Sequence, residues 1–518
     1  MTSENPAVEV ARPHIQAQAD VVDKGLAHDS VGLLAAVAMS VSSVAPAYAL
    51  TATLGLTVTE VGVQAPAIFL IGFLPMLLVA YAYRDLNKAV PDAGTSFTWT
   101  VKAFGPHIGW MCGWGLVLAI IIVLSNLAGV AVTFLYLFLA EILGNADIAT
   151  WGDGKVVNVA TCLAFVAIAT YIAYRGMTTT KGVTYVLLTI QMVALVLFIV
   201  LALTKATNGD SPTAIDFEMS WLNPLSVESF SVLATALSLS IFMYWGWDTC
   251  LSANEETSGS DRTPGLAALL TLLILVIVYV LTAVAAEMYA GIGEEGIGLG
   301  NAETSDNVFA ALADPVMGET LGLLLFLAVL ASSASSLQTT FIPGARTILA
   351  MGVYKALPDR FASIHPTHRI PSYATLVCGV GTAIFYTVMT FVSEDVLVDT
   401  ILSLGLMICF YYGLTAFAAA WYFRKESTKS ARALLLKGVA PVLGGLTLAG
   451  VFLKLAVDTV DPAYGSGGSI FGLGTVFVLG VGTLALGVVV MFVWQARAPA
   501  FFRGETLKKD TPALVVEE

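Results

Sequence analysis

The chain has 518 residues, of which 57% are apolar and only 12% are charged, against roughly 25% charged in soluble domains. This composition excludes a soluble enzyme. Several apolar stretches exceed the roughly 20 residues that cross a bilayer, which predicts a polytopic membrane protein with the lipid bilayer as a partner. The net charge of −13 excludes nucleic acid as a partner, because phosphate binding needs clustered Lys and Arg.

Hydrophobic runs between polar breaks predict an all-α membrane protein with twelve transmembrane helices, within a transporter domain at 29–497. The polar segments 1–28 and 498–518 are predicted to be disordered cytoplasmic tails. We expect no cleavable signal peptide before the first span, because the first 28 residues are polar and lack an apolar core with a small-residue cleavage site. The predicted spans are 31–58, 61–84, 105–141, 155–174, 182–204, 228–257, 265–289, 319–345, 371–393, 396–423, 433–457 and 469–496.

The basic residues orient these twelve helices. With the N-terminus inside, 21 of the 24 Lys and Arg residues fall on the cytoplasmic side, and only Lys155, Lys205 and Lys454 fall outside. This distribution is what the positive-inside rule requires. We therefore expect a multi-pass protein of the plasma membrane with both termini in the cytoplasm.

Two of the predicted spans are interrupted. Span 1 carries Pro46 and several serines in its middle, and a proline there removes a backbone donor and opens or kinks the helix. Span 6 carries aromatic residues around Gly246, followed by Asp248, which we take as the only carboxylate well inside any span. Each feature alone is also compatible with an ordinary kink or a packing residue.

The two interruptions lie five spans apart. An odd offset means that the second copy of a repeat enters the membrane from the opposite side. The sequence thus predicts an inverted repeat of spans 1–5 (29–204) onto spans 6–10 (220–424), followed by two further helices at 433–497. Paired broken helices in such repeats are the best sequence indication of a transporter binding site near the bilayer midplane.

Three motifs carry a resemblance to a known family: Val-Pro-Asp-Ala-Gly-Thr-Ser-Phe-Thr-Trp after span 2, Asn-Glu-Glu-Thr after span 6, and Ala-Ser-Ser-Ala-Ser-Ser in span 8. In this order they resemble the amino acid/polyamine/organocation transporter superfamily, which has the LeuT-type fold of five plus five inverted helices. The resemblance implies a secondary transporter, not an enzyme, with no cofactor. It would take up amino acids by alternating access, coupled to a cation gradient. The alternative is an importer or exchanger of putrescine-like amines.

The resemblance also implies substrate-contacting positions. Relatives have a Gly-x-Gly opening where this chain has Ala45, Pro46 and Ala47, so only the remaining amides could bind a substrate carboxylate. Phe242 matches the aromatic gate, and Asp248 matches a carboxylate that binds a substrate amine or makes an internal bond. The neighbouring aromatics would bind an ammonium by cation–π attraction or pack between helices. The implied substrate residues are Ser42, Ser43, Pro46, Ala47, Tyr48, Asn126, Phe242, Tyr244, Trp245, Gly246, Trp247 and Asp248.

The coupling ion is left open between sodium, a proton and none. Gln191 stands where many bacterial relatives have a lysine whose ammonium replaces sodium, and a neutral amide cannot supply that charge. Oxygen atoms could bind sodium instead, unless the small residues of span 8 only pack helices. A proton would require Asp248 to titrate. The implied ion-site residues are Ser42, Ala45, Gln191, Ser332, Ser333 and Ser336.

Other classes fit less well. The five cysteines are scattered, and His365 and His368 lie in a basic, proline-flanked loop, so we expect no metal site. A channel would need a ring of charged groups or carbonyls along a pore. A membrane enzyme would need a catalytic cluster at membrane depth, which the spans do not carry.

Overall fold

The computed structural model describes residues 24–392 and 396–512 of the chain, and the predicted tail residues 1–23 and 513–518 lie outside the described residues. The described chain is nearly all helical, as predicted. Ten helical stretches are long and apolar enough to cross a membrane. The first, Leu33–Ala89, contains spans 1 and 2, and a shorter apolar helix, Phe230–Tyr244, supplies most of span 6.

All twelve predicted spans are found. Spans 1 and 6 each consist of two helices, and spans 11 and 12 each begin with a short π-helical stretch. The spans are Leu33–Val44 with Pro46–Val61, Ala65–Ala89, Pro106–Leu143, Lys155–Tyr174, Met177–Asn208, Phe230–Tyr244 with Thr249–Ser252, Thr263–Ala290, Gly318–Val353, Ser372–Val392, Val396–Tyr422, Ala440–Asp458 and Thr483–Gln495.

Short elements connect the spans. The strands Ser469–Ile470 and Leu473–Gly474 form an antiparallel hairpin before span 12. The remaining α-helices are Thr95–Phe104, Val308–Leu312, Ala431–Ala433, Thr475–Phe477 and Pro499–Phe502, and the π-helices are Ala313–Met317, Leu434–Val439 and Val478–Gly482. The 3₁₀ turns are Gly62–Gln64, Ala146–Asp153, Met219–Leu222, Pro224–Ser226, Asn254–Glu256, Asp359–Ala362 and Ser427–Lys429.

The broken spans lie at the centre of the bundle. Nearly every residue of Phe230–Tyr244 after its first turn is buried or half-buried, and the second half of span 1 is buried along most of its length. Spans 2, 7, 8 and 10 pack against this centre. Spans 4, 9, 11 and 12 instead expose large apolar side chains, which suits a lipid-facing position.

The tail expectation was wrong for the residues next to the bundle. Lys24 and Leu26 are buried, and Val31 pairs with Thr257 in an isolated β-bridge. We call the side of the bundle that carries residues 24–31 the N-terminal face. After span 12, Phe501 and Phe502 are buried and pack in a cluster with Phe97. The physical reason is that both short segments carry apolar anchors amid polar residues, and burying them outweighs the cost of ordering the segments.

Candidate functional site

Span 1 is interrupted at a single residue. Ala45 has φ 56° and ψ 66°, and the second helix begins directly at Pro46. Proline favours the first helical position because its missing N–H has no intrahelical partner there. The opening is therefore shorter than predicted, since Pro46, Ala47 and Tyr48 all belong to the second helix and are buried.

Span 6 opens over four residues, Trp245 to Asp248, between its two helices. Gly246 has φ 102°, a conformation that L side chains rarely adopt. A Cβ atom here would lie 3.1 Å from the carbonyl carbon and the Oγ atom of Ser43 in span 1. The two interruptions therefore touch, and this close approach requires glycine.

Hydroxyl groups join the two openings to span 8. Thr249 Oγ1 donates to Ser43 Oγ at 2.7 Å, and Ser336 Oγ donates to the Ser43 carbonyl at 2.6 Å. Thr340 Oγ1 lies 3.2 Å from Ser43 Oγ. Below this cluster, the Cys250 amide donates to Ser40 Oγ at 3.1 Å. These bonds satisfy the carbonyl and hydroxyl groups that the broken helix leaves without helical partners.

Tyr48 and Asn126 bring two unpaired donors together. The Tyr48 ring meets the Phe242 ring edge-on at 6.2 Å, its amide donates to Ser332 Oγ at 3.2 Å, and its hydroxyl lies next to Asn126. Asn126 Oδ1 accepts a hydrogen bond from Thr400 Oγ1. Among the described residues, Tyr48 Oη and Asn126 Nδ2 make no hydrogen bond of regular geometry apart from their contact with each other, although both are buried. Two buried donors are thus left for a ligand.

Asp248, by contrast, has a hydrogen-bond partner in span 10. Its Oδ1 accepts a hydrogen bond of 2.8 Å from Tyr412 Oη in span 10. The rings of Trp247, Tyr412 and Tyr83 pack around it, with centroids 5.1–5.5 Å apart. The sequence pattern did not identify Tyr412 or Tyr83 as partners of this carboxylate.

The other aromatics of span 6 also contact the surrounding spans. Trp245 Nε1 donates to Tyr411 Oη in span 10. Tyr244 Oη donates to the Phe69 carbonyl of span 2 at 3.0 Å. Of the four aromatic side chains of this stretch, Phe242 is the one that contacts the Tyr48 ring.

A second polar group lies between spans 1, 5 and 8. Gln338 Nε2 donates to Thr184 Oγ1 at 3.3 Å, which sets the register of spans 5 and 8. Because spans 5 and 8 run antiparallel, Gln191, about 10 Å after Thr184, and Ser333, about 7.5 Å before Gln338, lie at similar depth. In the part of the chain that the structure describes, both amide atoms of Gln191 and the hydroxyls of Ser42 and Ser333 are buried without partners.

The structure corrects one expectation about buried carboxylates. Glu287, near the end of span 7, is also fully buried, so Asp248 is not alone inside a span. Within residues 24–392 and 396–512, neither carboxylate oxygen of Glu287 has a hydrogen-bond partner. The local sign of this carboxylate is a Glu between an alanine and a methionine, three residues before the helix ends.

A buried ion-pair network closes the N-terminal face. Lys24 Nζ lies 2.9 Å from Asp92 Oδ2 and also pairs with Glu255, and Tyr354 Oη donates to Asp92 at 2.6 Å. Glu255 lies beyond the last helix of span 6, in the turn Asn254–Glu256. Burial raises the pKa of Glu255 to about 7. The Lys24 ammonium lowers it, but that ammonium is shared with Asp92, whose own charge raises the pKa of Glu255. Burial alone would raise the pKa of Asp92 as well, but the Lys24 ammonium holds it below its usual value.

A second ion pair lies beside this network. Arg346 donates to Glu256 Oε2 through Nε at 2.8 Å and through Nη2 at 2.5 Å. The amides of Ser30 and Val31 donate to the Glu256 carbonyl. These contacts hold the segment before span 1 against the end of span 6 and against span 8.

The opposite face is closed by the loop between spans 7 and 8. A Cβ atom at Gly55 of span 1 would lie 2.4 Å from the Ser305 carbonyl oxygen, so the loop backbone rests directly on the helix. Thr51 Oγ1 accepts from the Phe309 amide at 3.0 Å. The paired openings are thus covered from both faces.

Comparison with known sequences identifies the family. A family profile described as "Amino acid permease" matches residues 31–498. The chain belongs to this amino acid permease family. It is a multi-pass membrane protein that handles small-molecule substrates.

Curated relatives of this permease are distant but cover most of its length. The branched-chain amino acid permease BcaP of Bacillus subtilis is 24% identical over 77% of this chain and 80% of its own. The serine/threonine exchanger SteT of Bacillus subtilis is 22% identical over 78% and 84%. The low-affinity putrescine importer PlaP of Escherichia coli is 21% identical over 75% and 80%.

A solved structure supports the fold of the permease. The crystal structure of MhsT in complex with L-phenylalanine matches with a TM-score of 0.57 and 15% identity. The match covers 80% of this chain and 98% of MhsT. The LeuT-type fold expected from the sequence motifs is therefore confirmed.

Proposed function

We propose that this permease takes up neutral amino acids by alternating access, with the substrate held where spans 1 and 6 open. The main support is that Tyr48 Oη and Asn126 Nδ2, which lack a regular partner among the described residues, can both donate a hydrogen bond, and that the Tyr48 ring contacts Phe242. A buried donor needs an acceptor, and an α-carboxylate supplies two acceptor oxygens. The start of the second helix of span 1 adds a positive dipole end, which favours the same group.

Asp248 bears on the choice between amino acids and amines. A putrescine-like diamine carries donors only, so it could donate to Tyr48 Oη but would leave Asn126 Nδ2 without an acceptor. The carboxylate that would compensate, Asp248, already accepts from Tyr412 and faces the aromatic rings of spans 2 and 10. A polyamine importer stays the second candidate, supported by the similarity to PlaP. In either case the cargo crosses unchanged, so we propose no catalysed reaction.

The site residues divide by their surroundings. We propose that Tyr48, Asn126, Phe242 and the free amide of Ala47 contact the substrate. Ser43 and Gly246 hold the two openings together, and Ser332 and Ser336 hold span 8 against span 1. Tyr244, Trp245, Trp247 and Asp248 support the open stretch of span 6 from behind.

The test is substrate uptake into proteoliposomes by variants that remove one donor each. Tyr48→Phe and Asn126→Leu should raise KM for a neutral amino acid about tenfold or more, since a lost bond to a charged group is worth about 1.5–3 kcal/mol. Tyr185→Phe, on the exposed face of span 5, is the matched control and should leave KM unchanged. Unchanged KM in both site variants would overturn the assignment.

We further propose that uptake is coupled to a cation bound between spans 1, 5 and 8. Three unpartnered, buried oxygen atoms support this, those of Gln191, Ser42 and Ser333. Sodium prefers oxygen ligands, so it suits this group better than a site with nitrogen or sulfur donors. Replacing sodium by choline should abolish concentrative uptake, and Ser333→Ala should raise the sodium concentration required. Uptake that follows a proton gradient without sodium would overturn this assignment in favour of proton coupling.

We place the permease in the plasma membrane with both termini in the cytoplasm and with the repeats 29–204 and 220–424 related by inversion. The distribution of basic residues supports this orientation. Because the five native cysteines are buried, single introduced cysteines report sidedness cleanly. Glu303→Cys should react with an impermeant thiol reagent from outside intact cells, and Lys508→Cys only after permeabilisation. The reverse labelling pattern would overturn the orientation.

A further inference from the structure

A cleft of about 450 Å³ opens at the N-terminal face, and none of the residues that line it belongs to the paired openings. It lies where span 2 ends, span 10 ends and the helix leading into span 11 begins. Six charged side chains line it, four basic and two acidic: Arg84, Asp85, Lys88, Glu426, Arg432 and Lys437.

The basic side chains of the cleft are only partly neutralised. Arg84 pairs with Asp85 at 2.9 Å, and Lys437 pairs with Glu426 at 2.5 Å. Lys88 and Arg432 are exposed, and among the side chains with described positions neither makes an ion pair or a hydrogen bond. The cleft therefore carries two surplus positive charges in a chain whose net charge is −13.

On its membrane-facing side, the cleft is bordered by exposed apolar side chains. Exposed apolar side chains run from it along span 11 at intervals of three and four residues, so they form one stripe on the helix surface. The stripe consists of Leu435, Val439, Leu443 and Leu446. Trp421, half exposed at the end of span 10, lies at the level where tryptophan prefers the membrane–water interface.

We propose that this cleft binds the phosphate of an anionic phospholipid, with the acyl chains lying along the stripe of span 11. A phosphodiester supplies the anionic partner that Lys88 and Arg432 lack among the described residues. The guanidinium of Arg432 can bind two of its oxygens at once. Basic clefts between transmembrane helices at the cytoplasmic side are typical headgroup sites. The bound lipid would tie span 2 to spans 10 and 11.

Purified full-length permease in neutral detergent allows a direct test. Phosphatidylglycerol should raise the melting temperature and remain bound in native mass spectra, whereas phosphatidylcholine should do neither. Inorganic phosphate distinguishes a free anion from a lipid, and it should not protect because it lacks the acyl chains. Protection by phosphate equal to that by phosphatidylglycerol would overturn the lipid assignment, as would equal protection by phosphatidylcholine.

Paired variants separate the cleft from general surface charge. The double variant Lys88→Gln with Arg432→Gln should weaken phosphatidylglycerol binding about tenfold or more. The double variant Lys425→Gln with Lys429→Gln removes the same charge from the neighbouring exposed loop outside the cleft, and it should bind as the wild type does. Equal loss in both double variants would overturn the proposal. All four side chains are exposed, and melting without lipid checks that each variant folds.

Discussion

The hydroxyl of Tyr412 donates a hydrogen bond of 2.8 Å to Oδ1 of Asp248, so the carboxylate in the opened part of span 6 has an internal partner. Both side chains are buried. A buried carboxylate without a partner is costly, and the phenol of span 10 therefore stabilises the opening from behind. Asp248 is in this way assigned to the support of the site.

The first prediction separates support from substrate contact. Tyr412→Phe removes the donor and should lower the free energy of unfolding by about 1–3 kcal/mol, because Asp248 loses a buried bond. Asp248→Asn should change the substrate KM by less than about threefold, since its carboxylate is already held by Tyr412. Melting temperature and proteoliposome KM measure the two effects. Loss of binding by Asp248→Asn with an unchanged melting temperature would contradict the assignment.

The second prediction concerns the contact between the two openings. Gly246→Ala places a Cβ 3.1 Å from Ser43 at a φ of 102°, so the openings must separate or the backbone must change. We expect a loss of about 2 kcal/mol in stability and a severe loss of uptake. Gly450→Ala is the matched control in span 11, where the added Cβ meets no atom within 4 Å, and it should keep full activity. Equal behaviour of the two variants would contradict the contact.

The third prediction concerns the unpartnered carboxylate of span 7. Glu287→Met keeps a similar volume and removes two buried oxygens without partners, so the melting temperature should rise. Glu256→Met is the contrast, because it leaves buried Arg346 unpaired and should cost about 3–5 kcal/mol. A fall in the melting temperature of Glu287→Met would show that this carboxylate binds a group such as a cation.

The fourth prediction is a pH dependence at the N-terminal face. The pKa of Glu255 is raised from 4.5 to about 7, so between these values the folded chain binds a proton that the unfolded chain does not. Its contribution to stability is present at low pH and is lost as the pH rises through about 7. The lowered pKa of Asp92 changes stability only at more acidic pH, and the raised pKa of Lys24 changes it only at more alkaline pH.

The melting temperature should therefore fall as the pH rises from about 4.5 to about 7 and level off above that, and Glu255→Gln should flatten this fall. Glu505→Gln, at an exposed position near the end of the described chain, serves as the control and should follow the wild type. A pH profile of Glu255→Gln identical to that of the wild type would contradict this role of Glu255.

Local sequence signals predicted the helix count and both interruptions correctly. Pro46 restricts its own φ and removes a backbone donor, and Gly246 permits a positive φ that other residues rarely adopt, so both interruptions have a local cause in the sequence. The helix Thr95–Phe104 is not among the twelve predicted spans, since its 10 residues are too few to cross a bilayer. Its burial against the bundle, with Phe97 and Trp99 inside, determines its structure.

The partners of the site residues could not be predicted in the same way. Tyr412 lies 164 residues from Asp248, and Thr400 lies 274 residues from Asn126. Such pairs depend on how the spans pack, which the period of a single helix does not encode. The same holds for Lys24, since one lysine in a polar segment gives no sign of the two buried carboxylates that fix it.

The measurement that tests the central claim most directly compares neutral amino acids with their matched amines. Each amino acid is paired with the amine that lacks only its carboxylate, and putrescine is included, in a thermal-shift assay with sodium present. A ligand at 100 times its Kd adds about 2.7 kcal/mol of stability. We predict that at least one amino acid stabilises the permease, whereas its amine and putrescine do not. Equal stabilisation by the amine, or stabilisation by putrescine alone, would contradict recognition of a carboxylate by Tyr48 and Asn126.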